Sequence, residues 1–371
     1  NEHNTKVLTI INSCDNEPVT SNGKLVTTKE NSSGHGLGIK SVKRTLKNYN
    51  GEKLSTLYIG GGTPTCLNEE QLEKLFNILE LLNKCENIEY TIETNVESLN
   101  LNKIKMLKKF GINRVSIGVQ SIIQKNIDYL GRNHDKNQVL KVINDLKLNG
   151  INNINVDLIY ALKGQTIDDL KEDIDFIIGL DINHISTYSL IIEDNTKLGI
   201  NKEKNIDEDL DYEMYNYICN KLKSYNFIHY EVSNFAKAGC ESHHNLTYWN
   251  NEEYYGFGLG ASGYVCGIRY DNTRSLNKYL NGNYRLEDEY IDLNTKIENE
   301  LILGFRKMDG INKEKFKTKY NMEITDIEVI KKLLINNDLV EDDTNIYINP
   351  KKIYISNSIL VEFIGGSYGK D

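Results

Sequence analysis

From residue 54 onward, apolar positions along the chain follow two alternating patterns. Short apolar or alternating runs predict strands at 54–60, 88–94, 113–119, 153–162 and 184–190. Longer runs with a period near 3.6 predict helices at 68–84, 102–111, 135–150, 166–180 and about 207–225. Strands that alternate with amphipathic helices indicate an α/β fold with a parallel sheet or barrel.

The remaining part of the chain has a different pattern. YEVSNFA at 230–236 is strand-like, and residues 240–280 are rich in Gly, Tyr and His without a clear period. From about residue 293, three helical patterns and two short strand-like stretches, DLVEDD and NIYINP, predict a small helical, winged-helix-like domain.

Composition narrows the class of protein. The chain has 371 residues, of which 39% are hydrophobic and 26% charged, and its formal net charge is −9. These values are typical of a globular protein and argue against a duplex nucleic acid as a partner. No apolar run approaches the roughly 20 residues of a transmembrane helix, and no signal peptide is recognisable, so we expect a cytoplasmic protein. The chain does not begin with Met, which predicts a fragment or a trimmed chain.

The six cysteines are too widely spaced to form a local metal site. No two lie within ten residues of each other, and no CxxC or CxxxCxxC occurs; they stand at Cys14, Cys66, Cys85, Cys219, Cys240 and Cys266. A local zinc or iron–sulfur ligand set is therefore absent from this sequence. We expect reduced, mostly buried thiols rather than a disulfide framework.

Two glycine-rich loops stand out from the periodic segments. YIGGGTPT at 58–65 follows a predicted strand, and GHGLG at 34–38 precedes a basic helical pattern. Glycines after a strand allow a ligand to approach the backbone, and parallel α/β folds bind ligands where their strands end. Polar residues that we expect at this edge are Gly61 to Thr63, Glu93, Gln120, Asp157 and Tyr188.

The upstream loop belongs to a segment that resembles part of a known family. Residues 7–51 carry TTK, then HGLG, then a helix that ends in YNG. This order is similar to the last part of the ATP-binding domain of sensor histidine kinases of the GHKL class, in which the loop covers the nucleotide phosphates. The family's N-box helix and its DxGxG loop have no counterpart, so we interpret residues 1–51 as a histidine-kinase ATPase-like fragment without nucleotide binding.

The rest of the chain, from about residue 54, resembles the HemW haem chaperones of the radical S-adenosylmethionine (SAM) superfamily and the related oxygen-independent coproporphyrinogen III oxidases. The motifs occur in family order: YIGGGTPT, YTIETNVES, GINRVSIGVQS, LGRNH, NVDLIYALKGQT, HISTYSL, HYEVSNFA and HHNLTYWN. The resemblance implies a partial (β/α) radical SAM barrel at 52–235, a haem-motif connecting region at 236–292 and a winged-helix-like domain at 293–371.

The resemblance also implies a SAM site on the predicted strand edge. In the family the GGGTP loop meets the methionyl group of SAM by its backbone, and carboxylate, amide and guanidinium groups contact the rest. Transferred to this sequence, the SAM-binding residues are Gly61, Gly62, Thr63, Glu93, Gln120, Arg132 and Asp157.

A second implied site is the haem motif HNxxYW within HHNLTYW. It assigns haem contacts to His244, Asn245, Tyr248 and Trp249, with His244 as the ligand to the haem iron. A neutral imidazole can ligate haem iron, and the aromatic rings can pack on the porphyrin. The adjacent His243 is a rival ligand.

The family's CxxxCxxC loop, which holds a [4Fe-4S] cluster, is missing from this sequence. The loop lies some 40 to 50 residues before GGGTPT in the family, where this chain has only Cys14. We therefore expect no competent cluster on this chain, although the family uses one. The family's first strand is absent too, which would expose a sheet edge unless VLTIIN at 7–12 replaces it.

These observations predict a HemW-like protein of haem or porphyrin metabolism that contacts SAM and haem. Its implied partners are haem or a porphyrin and a haem-acceptor protein, and a homodimer is compatible with the family. Two alternatives stay open: a non-catalytic haem carrier, and a nucleotide-binding fragment that acts through residues 1–51. A natural fusion, a recombined gene and an assembly artefact would all give this sequence.

Overall fold

The computed structural model describes residues 6–11, 20–21, 24–25, 51–192 and 206–368. In these residues the strands are β1 Lys6–Ile11, β2 Thr20–Ser21, β3 Lys24–Leu25, β4 Leu54–Gly60, β5 Lys84–Asn95, β6 Arg114–Gln120, β7 Asn153–Tyr160, β8 His184–Ser189, β9 Ile228–Glu231, β10 Asn234–Ala236, β11 Tyr254–Phe257, β12 Ser262–Val265, β13 Ile268–Asn272, β14 Arg285–Tyr290, β15 Ile311–Asn312, β16 Leu339–Glu341 and β17 Asn345–Ile348.

The helices of the same described residues alternate with these strands. They are α1 Glu69–Leu79, α2 Leu101–Lys109, α3 Gln124–Tyr129, α4 Lys136–Leu148, α5 Ile167–Gly179, α6 Glu208–Ser224, α7 His243–Trp249, α8 Leu276–Leu280, α9 Leu293–Gly304, α10 Lys313–Tyr320, α11 Glu328–Ile335 and α12 Ser356–Leu360.

The chain divides into two compact units. One unit contains residues 1–116, 144–152 and 253–290, and the other contains residues 117–143, 153–252 and 291–371. We call them the glycine-loop unit and the haem-motif unit, after the sequence motif that each carries.

The glycine-loop unit contains a mixed sheet with strand order β14-β13-β12-β11-β1-β4-β5. β1 pairs in parallel with β4 on one side and β11 on the other, and β4 pairs in parallel with β5. The VLTIIN segment therefore supplies a central strand, and the backbone groups of β4 that face it are satisfied. The side chains of β4 and of the second half of β5 are largely buried, in keeping with parallel strands that are covered on both faces.

The haem-motif unit has the strand order β6-β7-β8-β10-β9. β7 and β8 are parallel, with Asn155 opposite His184 and Asp157 opposite Ser186, whereas β10 is antiparallel to β8 and β9. Helix α5 begins at a capping box formed by Thr166 and Asp169. Its buried face includes Leu170, Ile174 and Ile177.

The end of the chain forms the small helical domain that its sequence pattern predicts. Helices α9, α10 and α11 pack with a three-stranded antiparallel sheet of order β15-β17-β16 around one apolar core. Phe305, Phe316 and Phe363 are at most 1% exposed in this core. Helices followed by a β16–β17 hairpin are the arrangement of a winged-helix-like domain.

Most predicted elements lie within a few residues of the observed ones. The largest deviations are α1, which ends at Leu79 rather than near 84, and YEVSNFA, which divides into β9 and β10. The aperiodic stretch 240–280 contains α7, α8 and strands β11 to β13. The GHGLG loop and the helix predicted after it lie outside the described residues.

None of the helices described above combines the length and the apolar character that crossing a bilayer requires.

Candidate functional site

The GGGTP loop begins where β4 ends and turns sharply away from the strand. Gly61 and Gly62 have φ angles of 77° and 65°, a left-handed conformation that side chains other than glycine rarely adopt. Gly60 is constrained by space instead. A Cβ at Gly60 would lie 2.5 Å from Cε1 of Tyr58 and 2.7 Å from Oε1 of Glu93. Residues 60–62, at the C-terminal end of β4, therefore need to be glycine.

The carboxylate of Glu93, on β5, fixes the loop. Tyr58 donates its hydroxyl to Oε1 of Glu93 at 2.6 Å, and the backbone N–H of Gly61 donates to Oε2 at 2.9 Å. Two residues further along, the amide of Asn95 donates to the hydroxyl of Thr63 at 2.9 Å. The structure thus brings together four predicted residues, namely Gly61, Gly62, Thr63 and Glu93.

Further polar contacts hold the backbone that follows the loop. Lys103, on α2, donates to the carbonyls of Thr65 at 2.6 Å and Ser98 at 3.0 Å. Burial lowers the pKa of Lys103 from its ordinary value. The sequence pattern does not predict Tyr58, Asn95 and Lys103 as support for the loop. Tyr58 and Asn95 lie within the family motifs, but their contacts depend on the parallel register of β4 and β5.

The other three predicted SAM residues belong to the haem-motif unit. Gln120 ends β6 with a φ angle of 68°, and its buried Oε1 has no hydrogen-bond partner within the described residues. Arg132 is half-buried in the turn after α3. Asp157 lies inside β7 rather than at its end, and it accepts a hydrogen bond from Asn155 at 2.7 Å.

The amide oxygen of Gln120, which has no partner within the described residues, is a buried acceptor that could contact a bound ligand. A buried acceptor without a partner costs about 1–3 kcal/mol, and a hydroxyl or amine of a bound molecule would remove this cost. The left-handed backbone at Gln120 is a further strain, of a kind that clusters at ligand sites.

The haem motif folds as the short helix α7. Ser242 caps it by accepting the N–H of Asn245 at 3.3 Å. His243 is exposed, whereas His244 is only 2% exposed, and its Nε2 is 3.1 Å from the hydroxyl of Tyr248. Tyr248 stands one turn after His244, so the two rings meet edge-on at 5.1 Å.

The C-terminal end of α7 is held by residues of the winged-helix-like domain. The guanidinium of Arg306 lies 5.6 Å from the ring centre of Trp249, and Lys307 donates to the side chain of Asn250 at 2.7 Å. Lys319 donates to the carbonyl of Asn250 at 3.4 Å. Cations near a helix C-terminus interact favourably with its dipole. Burial lowers the pKa of Lys307.

A buried carboxyl group lies beside the same helix. Glu231 is 1% exposed, and it accepts hydrogen bonds from the side chain of Asn234 and the N–H of Ser233. Burial raises the pKa of Glu231, and Asn234, Ser233, Arg306 and Trp249 partly offset this rise.

The cysteines of the described residues, Cys66, Cys85, Cys219, Cys240 and Cys266, form no disulfide with one another. Within the ranges that the structure describes, no three His, Cys, Asp or Glu side chains are placed to hold a metal ion together.

This fold and this glycine loop define the class of protein. The chain matches the model of the radical SAM superfamily over residues 27–177. The members of this superfamily use S-adenosylmethionine together with a [4Fe-4S] cluster. The match begins within the segment that resembles a histidine kinase; the resemblance of that segment stays a prediction.

Curated relatives define the family within this class. The chain is 38% identical to the heme chaperone HemW of Lactococcus lactis over 336 residues, which cover 88% of this chain and 89% of the relative. It is 35% identical to the heme chaperone HemW of Bacillus subtilis over 325 residues, with coverage of 84% and 86%. The chain belongs to the HemW family of radical SAM proteins, as the motifs predict.

A solved structure supports the same fold. The coproporphyrinogen III oxidase HemN of Escherichia coli, described as a radical SAM enzyme, aligns with a TM-score of 0.82 over 98% of this chain and 91% of that chain. The sequence identity is 18%, so this likeness concerns the fold alone. It confirms the predicted α/β class with a partial (β/α) radical SAM barrel.

Proposed function

We propose that this chain is a haem chaperone of the HemW kind that binds S-adenosylmethionine at its GGGTP loop and haem at helix α7. The observation that carries the proposal is the glycine loop, which Glu93 holds open at the end of a parallel strand. Family membership supports it, because the relatives are named heme chaperones.

The loop suits the polar end of SAM. The hydrogen bond from Gly61 fixes the orientation of the Glu93 carboxylate, a group whose negative charge suits the ammonium group of SAM. The backbone of Gly62 is exposed, and a ligand can approach it without meeting a side chain. The family resemblance also assigns SAM contacts to Gln120 and Arg132 of the haem-motif unit, where Gln120 has an acceptor without a partner in the described residues.

Isothermal titration of the full chain with SAM tests this site. Glu93→Gln removes the charge and one acceptor from the loop brace, and we expect at least a tenfold weaker SAM affinity, since hydrogen bonds to charged groups contribute about 1.5–3 kcal/mol. Glu97→Gln changes an exposed carboxylate four residues later and serves as the matched control. Equal affinities of the two variants would remove Glu93 from the site.

Helix α7 is the proposed haem site. Asn245, Tyr248 and Trp249 are partly exposed, which allows contact with a porphyrin. Ligation of haem iron by His244 through Nε2 requires the iron to replace the hydroxyl of Tyr248 as the partner of that nitrogen. His243 already stands at the surface and is the competing ligand.

Absorbance titration with haem separates the two histidines. We expect His244→Ala to weaken haem binding and to shift the Soret band. In His243→Ala, we expect the haem affinity and the Soret band of the parent. The reverse result would assign the iron to His243. Unchanged spectra and affinities in both variants and in the double variant would move the haem site away from α7.

We also propose that the chain does not assemble a [4Fe-4S] cluster on its own cysteines. The spacing of the cysteines supports this proposal, because no CxxxCxxC occurs in the sequence. After anaerobic loading with iron and sulfide, we expect less than one cluster equivalent of protein-bound iron and acid-labile sulfide. A full complement of four irons and four sulfides per chain would contradict it.

The same cysteine pattern favours a non-catalytic haem carrier as the second candidate function. Such a carrier would bind haem and release no 5′-deoxyadenosine from SAM under reducing, anaerobic conditions. Production of 5′-deoxyadenosine that depends on the added iron and sulfide would exclude this candidate.

A further inference from the structure

A series of hydrogen-bonded polar groups, which we call the relay, joins Asp157 to Ser242 at the start of helix α7. In the haem-motif unit, Asn155 donates to Asp157 at 2.7 Å, and Oδ1 of Asn155 is 2.6 Å from Nδ1 of His184. Nε2 of His184 is 2.8 Å from the hydroxyl of Tyr230, and this hydroxyl accepts the N–H of Ser242 at 3.3 Å. Ser242 is the capping residue of α7.

The strand register explains why these residues meet. Asn155 on β7 is directly opposite His184 on β8, and their side chains share one face of the parallel pair. Ser186, two residues after His184, also donates to Oδ1 of Asn155, at 3.1 Å. These residues are far apart in the sequence, so no local sequence motif contains them.

The donors of the relay all point the same way. Asn155 donates through its amide nitrogen, so its Oδ1 is an acceptor and Nδ1 of His184 must carry a proton. In a neutral imidazole, Nε2 is then an acceptor, and Tyr230 donates to it. Every donor from the N–H of Ser242 onward thus points toward the carboxylate of Asp157. Hydrogen bonds that are aligned in this way polarise one another.

Most groups of the relay are buried, so each of them needs a hydrogen-bond partner within the protein. His184 and Ser242 are fully buried, Asn155 is 2% exposed and Tyr230 is 9% exposed, whereas Asp157 is partly exposed. In such surroundings a polar group without a hydrogen-bond partner raises the free energy of the folded state. A change at Asp157 must therefore be accommodated by every hydrogen bond of the relay. At the partly exposed end lies Asp157, to which the family resemblance assigns a SAM contact, and at the buried end lies Ser242, the cap of the proposed haem helix α7.

We propose that His184 and Tyr230 are positioning residues that couple the ligand state of Asp157 to the order of helix α7. This inference rests on the proposed function, in which the chain binds SAM and α7 binds haem, and on the SAM contact that the family resemblance implies for Asp157. SAM at Asp157 then stabilises the start of α7 and prepares it for haem. Because coupling between two sites is reciprocal, haem on α7 strengthens SAM binding by the same factor.

Hydrogen exchange of the full chain without ligand is the first test. Tyr230→Phe keeps the ring and removes the hydroxyl, so we expect amide exchange in a peptide covering 242–249 to accelerate about fivefold, the equivalent of one lost hydrogen bond. Tyr279→Phe is the matched control, because its buried hydroxyl also accepts a backbone N–H, that of Gly258 at 3.0 Å. Unchanged exchange of 242–249 in Tyr230→Phe overturns the relay.

The second test repeats the exchange measurement with saturating SAM. In the parent chain and in Tyr279→Phe, we expect SAM to slow exchange of 242–249 about fivefold or more. This effect should vanish in Tyr230→Phe and in Asn155→Ala, which interrupts the relay near Asp157 and far from the helix. A merely structural role of these residues would leave the SAM effect in place and thereby overturn the coupling.

The two tests separate failure of the coupling from failure of the proposed function. If titration detects no SAM binding to the parent chain, the proposed function fails, while ligand-free exchange still decides whether the relay orders α7. If SAM binds and leaves exchange of 242–249 unchanged in the parent chain, the SAM site stands and the coupling is wrong.

Discussion

At the scale of single residues, the GGGTP loop shows how much of a site a sequence pattern can predict. Glycines after a strand and a carboxylate at the end of the next strand are visible in the sequence, and the structure brings Gly61 and Glu93 together. The partners Tyr58 and Asn95 were not foreseeable, because their roles follow from the alignment of β4 with β5. Asp157 was expected at a strand end and lies within β7.

Gly60 provides a prediction about the loop. Gly60→Ala places a methyl group within 2.7 Å of a Glu93 carboxylate oxygen and displaces the brace of Gly61. We expect SAM affinity, measured by titration, to fall about tenfold or more. Gly179→Ala, at a helical position with nothing within 4 Å of the added methyl, is the control. A Gly60→Ala chain that binds SAM like this control would contradict the account of the loop.

A buried carboxyl group gives a pH-dependent prediction. Asp173, on α5, accepts hydrogen bonds from Ser121 and from the N–H of Ile122, and burial raises its pKa from the ordinary 3.8 to about 7. The folded state therefore favours the protonated form. Its contribution to the free energy of unfolding is fully present below about pH 4 and decreases as the pH rises toward 7.

Urea denaturation at pH 5 and pH 8 checks this sign. The parent chain should lose more unfolding free energy between the two pH values than Asp173→Asn, with a slope of up to about 1.4 kcal/mol per pH unit from this group. Asp175→Asn changes an exposed carboxylate of the same helix and should behave like the parent. An equal loss in all three proteins would show that Asp173 does not titrate in this range.

At the scale of elements, α7 is a helix that its surroundings must stabilise. Seven residues are too few for a stable isolated helix. Ser242 caps its start, while Lys307 and Lys319 bind its end. The apolar pattern of 240–280 predicted no helix here, because tertiary contacts rather than periodicity define it. Long periodic elements such as α5 were predictable to within a residue or two.

The cap of α7 can be tested directly. Ser242→Ala removes the hydroxyl that accepts the N–H of Asn245 and retains the backbone N–H of the relay. We expect the free energy of unfolding, measured by urea denaturation, to fall by about 1 kcal/mol, together with weaker haem binding. Ser242→Thr, which keeps a hydroxyl, should recover most of both. Full stability in Ser242→Ala would mean that the cap contributes nothing.

At the scale of the whole molecule, β1 shows where a sequence gives the element and not its place. VLTIIN is plainly strand-like, yet only the structure shows it between β4 and β11. It lies parallel to both strands and so covers the sheet edge that the sequence predicts to be open unless VLTIIN fills it. Parallel pairing joins residues far apart in the chain, and a local pattern cannot specify it.

Removal of β1 should therefore harm the fold. A chain that begins at residue 52 leaves the backbone groups of β4 and β11 without their central partner, and we expect aggregation in size-exclusion chromatography with light scattering. A chain that begins at residue 6 keeps the strand and should elute like the parent. A monodisperse chain from residue 52 with the parent's circular dichroism would show that β1 is dispensable.

The central claim is that one chain holds both SAM and haem. Equilibrium dialysis of the full chain against radiolabelled SAM and haem together tests it most directly, with the bound amount of each measured on the same protein. The account predicts one equivalent of SAM and one of haem per chain. Haem binding without bound SAM at saturating concentrations, or SAM binding without haem, would contradict it.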